Sequence, residues 1–149
     1  MKLYYHAFRK RIYDENKKET LFFVSKRFLK YKIFDKNKKI VAIINRKNFS
    51  NDCTINVNQI SMIGKYDYNS NSINFINENI EIVGGKCRCA INKDNKLISV
   101  MQIEPPYHTW FQDYMSIEIF DEQNISLILA LLIPTLIVLY MNDDGYNGG

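Results

Sequence analysis

Lysines at alternate positions in the first third of the chain have the spacing that best suits contact with phosphate. On one strand, five residues would point to the same side of a sheet: Lys26, Phe28, Lys30, Lys32 and Phe34. Cations beside exposed aromatic rings suit a phosphate-rich surface, either lipid headgroups or a nucleic-acid backbone. We therefore predict an anion-binding face, which four further basic residues could extend: Arg9, Arg11, Arg46 and Lys47.

Charge is distributed very unevenly along the chain. Residues 1–50 contain 15 Lys and Arg against four Asp and Glu, a net charge of +11, whereas residues 101–149 contain seven acidic residues and no basic one. Such a basic block is typical of proteins that bind nucleic acid, phosphoinositides or anionic membranes. Two interpretations stay open: the block binds an anionic partner, or it pairs with the acidic third across a mixed surface.

The sequence lacks the residue patterns of metal sites and enzymes. Cys87 and Cys89 would share one face of a strand, but Cys53, His6 and His108 add no ligand at a recognisable spacing. There is no Gly-rich phosphate loop, no His-Glu-x-x-His motif and no nucleophile elbow. We predict a non-enzymatic protein without metal or cofactor, whose paired cysteines are buried strand residues.

Two segments near the end of the chain invite a functional interpretation but have simpler ones. Residues 105–110 place His108 beside Tyr107 and Trp110, and we expect a rigid turn whose aromatic rings close one end of the fold. Gly148-Gly149 matches the tail of ubiquitin-like modifiers in two residues alone, and an ordinary terminal tail explains it.

Most of the chain before residue 120 alternates between apolar and polar residues. Cys53, Ile55 and Val57, for example, are separated by Thr54 and Asn56, which is the pattern of a half-buried antiparallel strand. Polar turn clusters separate such runs at roughly 8 to 12 residues, a spacing typical of a sandwich or barrel. The 149 residues, 46% hydrophobic and 24% charged, suit one globular domain.

Residues 125–141, ISLILALLIPTLIVLYM, form an uncharged segment that is apolar on every face. Such a segment is either a membrane anchor or a helix buried on all sides. As a helix it would be about 25 Å long, shorter than the ~30 Å hydrocarbon core, and its flanks are acidic, which disfavours an anchor. We predict a buried helix at about 124–142, capped by Asp121 or Asn124 and bent near Pro134.

A helix that is apolar all round can hide every face inside a closed barrel. Two parts of the chain also carry a family resemblance: KYKIFD at 30–35 with IVA at 40–42, and YMSIEI at 114–119 leading to LILALL at 127–132. They resemble the tubby C-terminal-like superfamily, in particular the small bacterial and plant LURP-one-related proteins, which share their fold with phospholipid scramblases.

The resemblance implies a mainly β fold, a closed antiparallel barrel of roughly 10–12 short strands with one hydrophobic C-terminal helix through its centre. We expect one such domain over residues 1–149, with strands at about 2–120, the central helix at about 124–142 and a short tail at 143–149.

The resemblance implies binding rather than catalysis, since tubby domains bind phosphoinositide headgroups through basic surface residues and scramblases act at membranes. We expect a module that binds anionic phospholipid or another phosphate-bearing partner through its basic N-terminal face, with nucleic acid a less favoured partner. The odd number of cysteines and the lack of a signal peptide favour the cytoplasm, with peripheral contact to a membrane. The alternatives are a structural or protein-interaction barrel without a small ligand and, less favoured, a C-terminally anchored membrane protein.

Overall fold

The computed structural model of the chain describes residues 1–47, 50–104 and 114–141. These ranges contain the strands β1 (Lys2–His6), β2 (Arg11–Tyr13), β3 (Thr20–Arg27), β4 (Lys30–Asp35), β5 (Ile40–Arg46), β6 (Cys53–Val57), β7 (Ile60–Asp67), β8 (Ser72–Phe75), β9 (Ile80–Gly85), β10 (Arg88–Lys93), β11 (Lys96–Ile103) and β12 (Tyr114–Ile119). Two α-helices follow, α1 (Ile125–Ala130) and α2 (Leu132–Met141). The predicted turn around His108 and the tail ending in Gly148-Gly149 lie outside the described residues.

The strands form one closed antiparallel barrel. Each strand pairs with its neighbours in sequence, and β1 closes the ring by pairing with β12. In this closing pair Lys2 lies opposite Glu118, and His6 lies opposite Tyr114. Closure leaves no unpaired edge among the twelve described strands, and an unpaired edge is what exposes open sheets to aggregation. The predicted mainly β architecture, a closed barrel of roughly 10–12 strands, is therefore confirmed.

The two-residue alternation decides which side chains face the core. In β6, Cys53, Ile55 and Val57 are buried, while Asn56 between them is exposed. In β12, Ile117 is buried and the next residue, Glu118, is exposed. Many of the buried strand residues are isoleucines, whose branched side chains pack well on a pleated sheet.

Tight turns connect the two strands of several hairpins, and the residue types in most of these turns explain their backbone conformation. In the β6–β7 turn Asn58 and Gln59 have φ values of 51° and 64°, and in the β10–β11 turn Asp94 and Asn95 have 53° and 62°. Asn and Asp tolerate this left-handed backbone, which two-residue hairpin turns require. Phe28, in the β3–β4 turn, also has a positive φ of 57°, although its bulky side chain is poorly suited to it.

The apolar C-terminal segment forms two helices rather than one. Helix α1 ends at Ala130, α2 begins at Leu132, and the two axes are bent by 56°. The prediction of a single helix over 124–142 is wrong in this respect. Pro134 falls in the first turn of α2, where its missing N–H is tolerated, so the expected bend occurs just before the proline rather than at it.

Hydrogen bonds at the break satisfy the buried carbonyl of Leu131. The N–H and the hydroxyl of Thr135 both donate to the Leu131 carbonyl, at 3.0 and 2.7 Å. Before α1, the Asp121 carboxylate accepts from Gln123 N at 3.2 Å and caps a short 3₁₀ turn, Glu122–Asn124. Asn124 makes no side-chain cap to α1, so of the two predicted caps Asp121 alone acts, and it caps the 3₁₀ turn.

Both helices belong to the hydrophobic core. The five consecutive residues 128–132, which span the break between the helices, are each 0% exposed. Helix α1 contacts β5 and β6, and α2 contacts β8, β9 and β10. Most of the described part of the segment is therefore buried, as its charge-free sequence predicts.

Candidate anion-binding site

The lysines predicted to form one face are divided between two sides of the barrel wall. Lys26 in β3 lies opposite Tyr31 in β4, and directly opposed residues share a face. The neighbouring pair on that face is Val24 and Ile33, both buried, so Lys26 lies on the inner side of the wall. Lys30 and Lys32 alternate with Tyr31 and Ile33 and therefore lie on the outer side with Phe34.

The prediction of a single strand carrying all five residues is wrong because a tight turn interrupts it. β3 ends at Arg27 and β4 begins at Lys30, leaving Phe28 and Leu29 as the turn. A two-residue turn reverses the chain, so the alternation counted before it does not continue after it. The sequence around this turn contains no Gly, Asn, Asp or Pro, and so carried no turn signal.

The inner side of this wall lines a cavity of about 310 Å³ at one end of the barrel. Three cationic side chains line it: Lys10, Lys26 and Arg46. Its other walls are aromatic and aliphatic, from Tyr5, Ala7, Val24, Tyr31, Ile133, Leu136 and Ile137. No carboxylate lines the cavity within the described ranges, so the three cations have no opposing charge there.

Backbone hydrogen bonds position Lys10 and Arg46 at the cavity. Lys10 lies in the β1–β2 turn with a φ of 55°, and its carbonyl accepts from Val24 N at 2.8 Å, which ties the turn to β3. Arg46 ends β5, and its backbone N–H donates to the Leu29 carbonyl at 2.9 Å. These bonds bring three separate hairpins to one rim, a proximity that sequence spacing does not reveal.

The arrangement leaves donor capacity available to a ligand. Arg46 Nε is buried and has no acceptor within the described part of the chain. Lys26 Nζ lies 5.7 Å from the centre of the Tyr31 ring, an exposed cation–π contact that leaves its N–H groups free to donate. Burial, with Tyr31 nearby, raises the pKa of Tyr5, so this phenol stays a neutral donor. The site can bind an anionic group among its cations and an apolar group against α2.

The other predicted basic residues do not line this cavity. Arg9 donates to the hydroxyls of Tyr13 at 3.5 Å and Tyr114 at 3.3 Å. Arg11 lies over the Phe23 ring on the outer wall, 5.5 Å from its centre. Lys47 is exposed after β5, and its backbone N–H donates to Asp52. Of the seven predicted basic residues, two line the cavity, Lys26 and Arg46. The prediction did not include Lys10, Tyr5 and Tyr31, which also line it.

Lys17 occupies an aromatic cluster on the outer wall that the sequence did not reveal. Its Nζ lies 4.6 Å from the ring centres of both Tyr4 and Tyr114, and 2.8 Å from Glu104 Oε2. His6 packs edge-on against Tyr114, with 4.9 Å between ring centres. The Lys17–Glu104 pair joins the basic and acidic thirds of the chain, so some of the unequal charge is paired within the fold.

The cysteines are core residues. Cys53 and Cys89 are 0% exposed, and burial raises the pKa of each thiol to about 12. Cys87 precedes β10, in a turn with a φ of 55°, and so does not lie on the strand that was predicted to carry both Cys87 and Cys89. None of the three cysteines forms a disulfide, and no cluster of three or more His, Cys, Asp or Glu among the described residues could hold a metal ion.

In comparison with known proteins, the chain matches no family model, no curated protein and no solved structure. Within the described ranges, no single helix is long and apolar enough to cross a membrane, although the bent pair Glu122–Ala130 and Leu132–Leu139 could do so by length and composition. The resemblance to the tubby-like superfamily therefore stays a prediction from the sequence.

Proposed function

We propose that this protein is a non-enzymatic binding module for an anionic, phosphate-bearing amphiphile, with anionic phospholipid the favoured ligand. One observation carries the proposal: Lys10, Lys26 and Arg46 surround a cavity whose remaining walls are apolar or aromatic. Phosphate oxygens accept charge-assisted hydrogen bonds from such cations, and an acyl chain can lie against Leu136 and Ile137. The phosphate-binding face predicted on the strand is thus replaced by the cavity.

The size of the cavity limits how much of a lipid it can hold. Its volume of about 310 Å³ is at the lower end of the range for small-molecule sites. We therefore propose that it holds the phosphate and the adjoining part of one acyl chain rather than a whole two-chain lipid. This function agrees with the membrane-associated binding that the tubby-like resemblance implies, and we propose that the protein acts at the cytoplasmic surface of a membrane.

We also infer that α1 and α2 run through the interior of the barrel. Helix α2 contacts β8, β9 and β10, and across the cavity its residues Ile133 and Leu136 face side chains from β1, β3, β4 and β5. Cys89, on the inner side of β10, lies 3.9 Å from the Thr135 carbonyl. Strands from opposite sides of the ring thus approach the same helix, which supports a central position.

Calorimetric titration with a short-chain phosphatidic acid, below its micelle concentration, tests the proposal. The Lys26→Gln/Arg46→Gln variant loses two cavity cations, and the Lys30→Gln/Lys32→Gln variant loses two cations from the outer wall. We expect the cavity variant to bind at least about tenfold more weakly and the outer-wall variant to bind like the wild type, because charge-assisted hydrogen bonds are lost in the first alone.

The matched pair separates a specific site from general attraction of a basic surface. Equal losses in both variants would show that net charge, not the cavity, attracts the lipid. Equally tight binding of inorganic phosphate would show that the apolar wall contributes nothing. No binding by the wild type at low salt would favour the alternative, a structural or protein-interaction barrel without a small ligand.

A further inference from the structure

Two turns at the cavity end of the barrel each carry an exposed phenylalanine. Phe8 lies in the β1–β2 turn and is 72% exposed, and Phe28 lies in the β3–β4 turn and is 79% exposed. In an antiparallel meander these alternate turns lie at the same end of the barrel. The cavity-lining residues Lys10 and Lys26 are each two positions away from one of these phenylalanines, so both turns lie near the cavity.

Neither the core nor the backbone explains a phenylalanine at position 28. Its ring is almost fully exposed, so it adds little to the hydrophobic core. Its φ of 57° lies in the left-handed region, where a bulky side chain is disfavoured and Gly or Asn is preferred. A residue that is unfavourable both for solvation and for backbone conformation points to a role outside folding.

The two turns that carry these rings are rich in basic residues. Residues 7–11 and 26–30 contain six Lys or Arg among ten positions and no Asp or Glu. Exposed apolar side chains within a basic surface are the two signals that together bind proteins to anionic membranes: the rings enter the interfacial region while the cations contact anionic headgroups. An acidic headgroup layer therefore complements these two turns in both charge and polarity.

We propose that Phe8 and Phe28 insert into an anionic bilayer and dock the cavity end of the barrel against it. The cavity mouth then faces the headgroup layer, from which a lipid phosphate reaches Lys10 and Lys26 without crossing water. The entry of lipid into the cavity rests on the proposed function, whereas the docking itself depends on the two rings and the surrounding cations.

Vesicle sedimentation tests this docking surface. The probes are phosphatidylcholine vesicles with and without phosphatidylserine, and the variant is Phe8→Ser/Phe28→Asn. The matched control is Ile76→Ser/Phe120→Ser, which removes two exposed apolar side chains from the opposite end of the barrel. We expect the Phe8/Phe28 variant to bind phosphatidylserine vesicles at least about tenfold more weakly, and the control to bind like the wild type.

Two further measurements separate a loss of membrane docking from a loss of folding and from a loss of lipid binding in the cavity. Urea unfolding should show the single variant Phe28→Asn to be at least as stable as the wild type, because Asn suits the positive φ at position 28. Binding of short-chain phosphatidic acid should be unchanged. If neither the wild type nor the variants bind short-chain phosphatidic acid, but vesicle binding still depends on Phe8 and Phe28, the proposed function of the cavity is wrong and the proposed docking surface is supported. The proposal is wrong if the Phe8/Phe28 variant binds vesicles like the wild type, which is the result expected if this surface binds a protein partner instead. It is also wrong if the control variant loses as much vesicle binding as the Phe8/Phe28 variant.

Discussion

Asn71 and Val138 join the barrel wall to the second helix, with Asn71 Nδ2 donating to the Val138 carbonyl at 3.3 Å. Gly84 in β9 completes this contact, because its Cα faces both residues. A Cβ added at Gly84 would lie 2.5 Å from Val138 Cγ1 and 2.6 Å from Asn71 Nδ2. The glycine thus lets α2 approach the sheet closely at this position.

Gly84→Ala should therefore destabilise the protein by about 1–3 kcal/mol, because α2 or the β7–β8 turn must move to make room for the methyl group. Gly85→Ala is the matched control. Its added Cβ would come no closer than 3.4 Å to the Arg88 carbonyl, and we expect a change within about 0.5 kcal/mol. Urea unfolding of the two variants measures the difference, and similar stabilities would be inconsistent with close packing of α2 on β9.

Leu131→Asp should largely remove soluble folded protein. Leu131 is 0% exposed at the break between α1 and α2, so the variant buries an unpaired carboxylate. The cost is several kcal/mol against a typical total stability of about 5–15 kcal/mol. Leu97→Asp makes the same substitution at a 40% exposed site in β11 and should stay soluble and folded. Cooperative unfolding of soluble Leu131→Asp would contradict burial of the segment.

Stability should fall in alkaline solution because buried acidic groups keep their protons in the folded state. Burial raises the pKa of Cys53 and Cys89 from 9.0 to about 12, and raises the pKa of Tyr5 above 10.0. The unfolded chain loses these protons first, so the free energy of unfolding declines as pH rises above about 9. Each group adds a slope of about 1.4 kcal/mol per pH unit once its unfolded form is ionised.

Urea unfolding under reducing conditions, from neutral pH to about pH 11, measures this slope. The Cys53→Ala/Cys89→Ala variant is the control. Although less stable throughout, it should lose the part of the slope that begins near pH 9 and keep the part from Tyr5 that begins near pH 10. A variant with the wild-type slope would show that the thiols do not cause the decline.

Lys17 and Glu104 should show a small favourable coupling in a double-mutant cycle built from Lys17→Met and Glu104→Gln. The Lys17 side chain is 36% exposed and that of Glu104 is 27% exposed, so we expect about 0.2–1 kcal/mol, reduced further by salt. Lys17→Met also loses the contact of the charge with Tyr4 and Tyr114. Zero coupling at low salt would mean that the pair adds nothing to stability.

The fold could be predicted from the sequence because its main signals are local. Alternation over five or six residues, as in Cys53, Ile55 and Val57, identifies strands, and a segment without charge identifies a buried helical segment. The break at Leu131 could not be located, because nothing at that residue distinguishes it from its neighbours, although Pro134 indicated a bend nearby.

The site could not be predicted, because it depends on contacts between residues distant in sequence and on one unusual turn. Lys26 and Lys30 looked equivalent, yet Phe28 and Leu29 reverse the chain between them without any typical turn residue. Three different hairpins contribute the cationic residues Lys10, Lys26 and Arg46. These residues come together at one rim when the sheet curves into a barrel. No pattern within a single segment contains that information.

The pairing of β1 with β12 also bears on how this protein is made. As the chain leaves the ribosome, successive hairpins can form in turn, but the sheet stays open until the residues of β12, up to Ile119, have been synthesised. Until then both edges of the sheet are exposed, and the apolar segment that forms α1 and α2 is translated after β12. Nascent chains arrested before β12 should consequently require chaperones, and truncated products ending there should accumulate in the insoluble fraction.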